Sequence, residues 1–169
     1  MKRTCLVGLL VLTAFSLGMI AQQAAQPSRL VDRTFGYTID IPDFGDGGVG
    51  TEFTRLAFSA PPIGNITPNV NIIVQNQDFD LQAHLEQTRR ELDQLGLRID
   101  HTKFVRIGDH DAVRLGYSGN LQDTDLAFKV LIVFLDQRVL IVTCTGPKPM
   151  PQELDVAFTT ALDSFRLTE

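Results

Sequence analysis

The sequence is poor in the residues that form disulfides and metal sites, with two cysteines and three histidines among 169 residues. Cys5 lies in a segment that we expect to be removed, so Cys144 is left alone and cannot form an internal disulfide. Cys144 lies within an apolar run, which predicts a buried, unreactive side chain. Zinc ligands commonly come as close pairs on one element. His84, His101 and His110 fall on different predicted elements, so we predict no metal ligand and no catalytic role for them.

The short motifs that mark several large classes of enzyme are also missing. There is no Gly-x-Ser-x-Gly, no phosphate-binding glycine loop followed by Lys and Ser or Thr, and no dinucleotide fingerprint. Ser59, Ser118 and Ser164 fall in a predicted loop, strand end and helix, without a neighbouring base. We therefore expect a protein that is not an enzyme, with no catalytic residue and no cofactor.

No cluster of basic residues is present, and the charge is acidic overall. Removing Lys2 and Arg3 with the first 25 residues leaves 13 of the 15 basic residues against 20 acidic ones, a net charge of about −7. Nucleic acids and anionic lipids attract basic surfaces. This balance therefore argues against both as partners.

Residues 1–25 are typical of a secretory signal peptide. Lys2 and Arg3 precede an apolar run that continues to Ala21, and small residues offer cleavage sites between 18 and 25. The alternative is an uncleaved anchor, because the apolar run from Cys5 to Ala21 is at the short end of a spanning helix. We predict that residues 26–169 form a single domain in a secreted, periplasmic protein.

The longest apolar run, residues 126–146, predicts a central hairpin. In its first arm, the side chains that point to either face of the strand are apolar, so we expect other parts of the protein to cover both faces. Asp136, Gln137 and Arg138 form a polar interruption suited to a three-residue hairpin loop. Further strands are predicted at 35–41, 53–58, 70–75, 102–107 and 113–118, helices at 80–95 and 151–165, and polar connections at 26–33, 43–50 and 119–125. This order predicts an α+β fold with a mainly antiparallel sheet of about six to seven strands covered by two main helices.

The glycine-rich connection 43–50 contains two acidic residues, Asp43 and Asp46. Oxygen ligands and glycine turns are what calcium sites need, but the spaced acids and terminal Glu of a helix-loop-helix calcium loop are missing. We favour a surface loop over a cation site. His110, between Asp109 and Asp111, is expected to be a solvated turn residue.

Several segments together resemble the PsbP-like superfamily. They are Phe-Gly-Tyr-Thr-Ile-Asp-Ile-Pro at 35–42, Asn-Val-Asn-Ile-Ile-Val at 69–74, the leucine-striped helix, Gly-Asp-His-Asp-Ala-Val-Arg-Leu-Gly-Tyr at 108–117, the hairpin, and Leu-Asp-Ser-Phe at 162–165. The resemblance covers residues 34–167 and is closest in character to the bacterial DcrB-like envelope proteins. Two features depart from it: Phe44 stands where a Trp is often found, and the lipid-bearing cysteine of many envelope members is missing.

The resemblance implies an α-β-α sandwich without shared catalytic residues, acting as an accessory or adaptor for another protein. The expected function is thus a secreted or periplasmic, non-enzymatic domain that binds an envelope protein or complex of unknown identity. One alternative is a protein that binds a small ligand or metal ion between the sheet and the loops 43–50 and 59–68. Another is a hydrolase of unrecognised type. The sequence assigns no binding residue.

Overall fold

The structure is a computed structural model that describes residues 28–42, 56–76 and 80–168. The predicted signal peptide, the anchor alternative and the connection 43–50 lie outside these residues. So does the first part of the strand predicted at 53–58. Neither of the two described helices is long and apolar enough to span a bilayer.

The described part of the chain forms nine strands and two helices. In chain order they are β1 Ser28–Asp32, β2 Tyr37–Ile41, β3 Leu56–Ser59, β4 Asn69–Gln75, α1 Leu81–Gln94, β5 Arg98–Ile107, β6 His110–Leu121, β7 Thr124–Leu135, β8 Arg138–Pro147, α2 Gln152–Ser164 and β9 Arg166–Leu167. The strands build a six-stranded antiparallel sheet of order β3-β4-β8-β7-β6-β5 and a three-stranded one of order β1-β2-β9. The predicted α+β class with a mainly antiparallel sheet is confirmed.

The predicted hairpin is β7 and β8, and it lies at the centre of the large sheet. Successive residues of β7, Val130 to Val133, are all buried, so both faces of the strand are covered. Leu131, Val133, Leu140, Val142 and Cys144 face α2 and the small sheet, where they pack with Phe158 and Phe165. Val130, Ile132 and Val139 face the other way, towards Leu81 and Leu85 of α1. The expected sandwich of this hairpin is confirmed.

Both ends of α1 follow from local chemistry. Asp80 is the N-cap, and its carboxylate accepts a hydrogen bond from the backbone N–H of Ala83 at 2.9 Å. Gly96 follows the helix with a φ of 72°. The N–H of Leu97 then donates to the carbonyl of Leu92 at 2.9 Å, and both leucines are buried. These bonds form a Schellman end, which turns the chain directly into β5.

Three predicted boundaries were wrong. Residues 26–33 were expected to be a polar lead-in, but they contain β1, an outer strand with only partial burial and hence no apolar alternation. Residues 119–125 were expected to be a polar loop, but β6 and β7 run through them and leave a two-residue turn, Gln122 and Asp123. The loop between β7 and β8 is likewise two residues, because Arg138 already pairs with Leu135. In each case backbone pairing overrides a polar local sequence.

Candidate functional site

The structure does not bring the three histidines together as a site. The His84 ring on α1 packs edge-on against the Phe134 ring, with the two ring centroids 5.6 Å apart. His101 lies on β5, and His110 begins β6. Burial lowers the pKa of His84, and the nearby Glu91 opposes this shift. No group of three or more His, Cys, Asp or Glu side chains within the described ranges is close enough to hold a metal ion.

Ser118, Ser164 and Cys144, three side chains that could act as nucleophiles, have structural partners or are buried. Ser118 donates to a carboxylate oxygen of Asp100 at 2.7 Å. Ser164 Oγ donates to the Ala161 carbonyl and accepts from the backbone N–H of Asp40, both at 2.7 Å. Cys144 is fully buried, and burial raises its pKa to about 12 although Lys129 acts in the opposite direction. Thus Cys144 is buried, as the sequence predicts.

An open groove of about 1100 Å³ lies at one end of the molecule, and we call it the end groove. It lies where the β1–β2 turn, the β7–β8 turn and the start of β6 meet. The Arg138 guanidinium lies over the Phe35 ring at 6.0 Å from its centroid. The end groove is lined by residues of the two turns, of the C-terminus and of the ends of β4 and β6, namely Val31, Arg33, Thr34, Phe35, Gly36, Asn76, His110, Leu135, Asp136, Gln137, Arg138, Leu167 and Thr168. The loop 59–68 contributes none of them, and the loop 43–50 lies outside the described residues, so the pocket expected beside these two loops stays a prediction.

His110 also borders a smaller recess of about 480 Å³ that has four aspartates in its lining, namely Asp80, Asp109, Asp111 and Asp136. Their chemistry suits a cation. However, no three of them come near enough to one point to ligate one ion. His110 itself is half-buried and follows the turn, where a fully solvated turn residue was expected.

The outer strand β5 is the most exposed long strand of the large sheet. Most of its residues are exposed, and it pairs with β6 alone among the described strands. Phe104 has 59% of its surface exposed, more than any other large apolar residue described. A bulge at Asp100 interrupts the pairing, and the His101 ring beyond it lies directly over Gly116 of β6.

A groove of about 420 Å³ runs between β5 and the C-terminal end of α2, and we call it the basic groove. Four basic residues and one acidic residue line it, together with Val105, Ile107, Gly108 and Phe165; the charged ones are Lys103, Arg106, Arg114, Arg166 and Asp163. Arg114 pairs with Asp163, and Arg106 pairs with Asp111 at 3.4 Å. Arg166 donates only to backbone carbonyls, and Lys103 forms no ion pair within the described ranges. The sequence did not reveal this groove, because its basic residues are dispersed over β5, β6 and the C-terminus.

The sheet order, the two covering helices and the small second sheet make up the α+β architecture that the resemblance implied. No family model matches the sequence, and no curated protein matches it either. Solved structures do match.

LpqN of Mycobacterium tuberculosis, which is involved in cell envelope biogenesis, aligns with a TM-score of 0.64 and 18% identity over 85% of this chain and 91% of its own. PA94 of Pseudomonas aeruginosa, described as a protein of unknown function, aligns with a TM-score of 0.58 and 17% identity over 83% of this chain and 96% of its own. The cyanobacterial PsbP (CyanoP) of Synechocystis aligns with a TM-score of 0.58 and 12% identity over 92% of this chain and 97% of its own. At these identities the likeness shows a shared fold.

Proposed function

We propose that the protein is an extracytoplasmic, non-enzymatic accessory domain that binds an envelope protein or complex. The observation that carries the proposal is the outer strand β5, whose far edge pairs with no other described strand, beside a basic groove in a protein that is acidic overall. Surfaces with unpaired strand edges are ready to bind another chain.

The location outside the cytoplasm rests on two supports. The first is the signal-like segment 1–25, with its basic start and apolar run. The second is the likeness to LpqN, a protein involved in cell envelope biogenesis. Cell fractionation, with the mature N-terminus determined by mass spectrometry, is expected to give an extracytoplasmic protein starting near residues 18–25.

The non-enzymatic character is supported by how the reactive side chains are used. Ser118 and Ser164 are held in hydrogen bonds with Asp100, Asp40 and Ala161, none of which is a histidine base. Cys144 is buried with a raised pKa. Because Ser118 and Cys144 are buried and the Ser164 hydroxyl already bonds two backbone groups, these side chains are poorly placed to attack a substrate.

The direct test is chemical cross-linking in intact cells followed by identification of the attached partner. We expect a specific envelope protein to be recovered with the mature chain in repeated experiments. Recovery of the mature chain only as a free monomer, under conditions that cross-link a known envelope complex, would contradict the proposal.

A second candidate function, binding of a small anionic ligand, is favoured by the end groove. Arg33 and Arg138 line it, with Phe35 beneath the Arg138 guanidinium. A thermal-shift screen of metabolites and metal ions tests it, since a ligand at a hundredfold its Kd stabilises by about 2.7 kcal/mol. Arg138→Gln should remove the shift, whereas Arg89→Gln on the exposed surface of α1 should keep it. A screen without any shift would dismiss this candidate.

A further inference from the structure

The outer strand β5 offers a row of open backbone groups. Alternate residues of an antiparallel edge strand direct their N–H and C=O groups away from the sheet. On β5 these groups have no strand opposite them among the described residues, since β6 is the only strand paired with it. An extended peptide can add to such an edge through main-chain hydrogen bonds, and side-chain contacts then give specificity.

The charge on this edge selects the occupant. β5 carries Arg98, Lys103 and Arg106 against one acidic residue, Asp100, although the whole chain has a net charge of −5. Arg166 adds further positive charge across the basic groove, where Arg114 is paired with Asp163. Because Lys103 has no carboxylate partner within the described ranges, its charge is available to an incoming acidic side chain.

The two faces of β5 differ in the middle of the strand. Lys103 pairs with Arg114 and lies on the face of the basic groove. Phe104 pairs with Val113, which belongs to the apolar cluster beneath α1, so it lies on the opposite face. A strand added beside β5 would place its own residues on these same two faces. It would match them if acidic and apolar side chains alternate along it.

We propose that β5 binds an extended segment of an envelope protein in which acidic and apolar side chains alternate, adding it as a further strand to the six-stranded sheet. Acidic side chains of the segment contact Lys103 and the basic groove, and an apolar one packs on Phe104. This inference rests on the proposed accessory function and names the surface and the partner chemistry for it.

A second copy of this chain fits the edge less well. Pairing β5 with itself would set three basic residues and one acidic residue against an identical set. Like charges on adjacent strands repel, and lysines and bulges on an edge are known devices against such self-pairing. The bulge at Asp100 and the lysine at position 103 therefore disfavour self-association and still admit an acidic strand.

The test uses site-specific photo-cross-linking in intact cells with the full chain. The photoreactive residue p-benzoylphenylalanine replaces Phe104 in one variant and Val156, which is 56% exposed on α2, in the matched control. We expect the Phe104 variant to capture an envelope protein, with the cross-link mapped by mass spectrometry to a segment of alternating acidic and apolar residues. Adding Lys103→Glu should lower the yield about fivefold or more, whereas Lys103→Arg should keep it.

Each other outcome is decisive. Capture from Val156 but not from Phe104 would overturn the β5 proposal and leave the accessory function standing. Capture from neither position would contradict both. A cross-link from Phe104 to a second copy of this chain, or to a segment without acidic residues, would overturn the proposed chemistry. An unchanged yield with Lys103→Glu would do the same, provided that circular dichroism shows that the variant is folded.

Discussion

A thiol reacts as its thiolate, and the surroundings of Cys144 disfavour that charge. The side chain is fully buried, and burial raises its pKa to about 12. At pH 8 roughly one molecule in 10,000 would then carry a thiolate. We expect no measurable alkylation of Cys144 by iodoacetamide in the native protein and rapid alkylation in denaturant, with peptide mapping to separate it from Cys5. Native labelling of Cys144 at the rate of a free thiol would show that the β7–β8 core opens.

Burial also makes the protonation of His84 less favourable in the folded protein. Its pKa is lowered from 6.5, so the unfolded chain binds this proton more readily than the folded one. Protonation therefore favours unfolding, and stability should fall as the pH drops through the unfolded pKa. We expect the urea midpoint of the wild type to fall more between about pH 8 and about pH 5.5 than that of His84→Gln.

The matched control for His84 is His101→Gln, a change at an exposed histidine on β5. This variant should keep the wild-type dependence of the urea midpoint on pH. Equal pH dependence in the wild type and in His84→Gln would rule out His84 as the source.

Gly119 and Gly116 of β6 both lie close to a neighbouring segment, but Gly119 faces backbone atoms and Gly116 faces a side chain. A Cβ on Gly119 would lie 2.8 Å from the carbonyl oxygen of Gly96 and 3.2 Å from Cα of Leu97. The Schellman turn fixes that backbone, so Gly119→Ala should cost about 1–3 kcal/mol of unfolding free energy. The three atoms nearest to a Cβ on Gly116 all belong to the ring of His101, an exposed side chain that can turn into solvent.

Gly116→Ala should therefore change the unfolding free energy by less than about 1 kcal/mol, as the strand propensity of alanine offsets the displaced ring. Urea denaturation of both variants measures the difference. A larger cost for Gly116→Ala than for Gly119→Ala would mean that the contact between α1 and β6 is looser than the structure shows.

The turn between β6 and β7 holds two residues other than glycine at positive φ, a backbone conformation that costs such residues free energy. Gln122 and Asp123 have φ values of 51° and 61°, the arrangement of a type I′ turn, which prefers Asn-Gly. The double change Gln122→Asn with Asp123→Gly should raise stability by about 0.5–1 kcal/mol, seen as a higher melting temperature. Gln137→Gly at the β7–β8 turn is the control, because neither turn residue there has a positive φ. A gain in the control of equal size would contradict the explanation.

The same turn shows what limits prediction of these elements from the sequence. Periodicity predicted α1 and α2, and the long apolar run predicted the β7–β8 hairpin. The apolar residues of α2 and of the hairpin are mostly buried, whereas on α1 only Leu92 is buried and Leu95 at its C-terminal end is 53% exposed. Gln-Asp is not a recognisable hairpin signal, so the polar ends of β6 and β7 were assigned to a loop. The candidate site was less predictable still. The edge position of β5 depends on which strands pair, and the local sequence does not encode this.

The two sheets of the molecule are joined through one apolar layer. Tyr37 and Ile39 of β2 pack with Phe158 of α2 and with Leu140 and Val142 of β8 in a single cluster. β9 follows α2 directly and closes the small sheet on β2. The small sheet and the large one should therefore unfold together as one cooperative unit.

Phe165, the residue between α2 and β9, tests this coupling. It is 0% exposed, and its ring stacks on Tyr37 with centroids 5.5 Å apart. Phe165→Ala should cost about 3–5 kcal/mol of unfolding free energy, because it leaves a cavity where the two sheets meet. Val156→Ala, on the exposed side of the same helix, should cost far less. In hydrogen exchange of the wild type, the amides of β2 and β8 should share one opening free energy. Earlier exchange of β2, with β8 still protected, would mean that the small sheet is a separate unit and that Phe165 stabilises it alone.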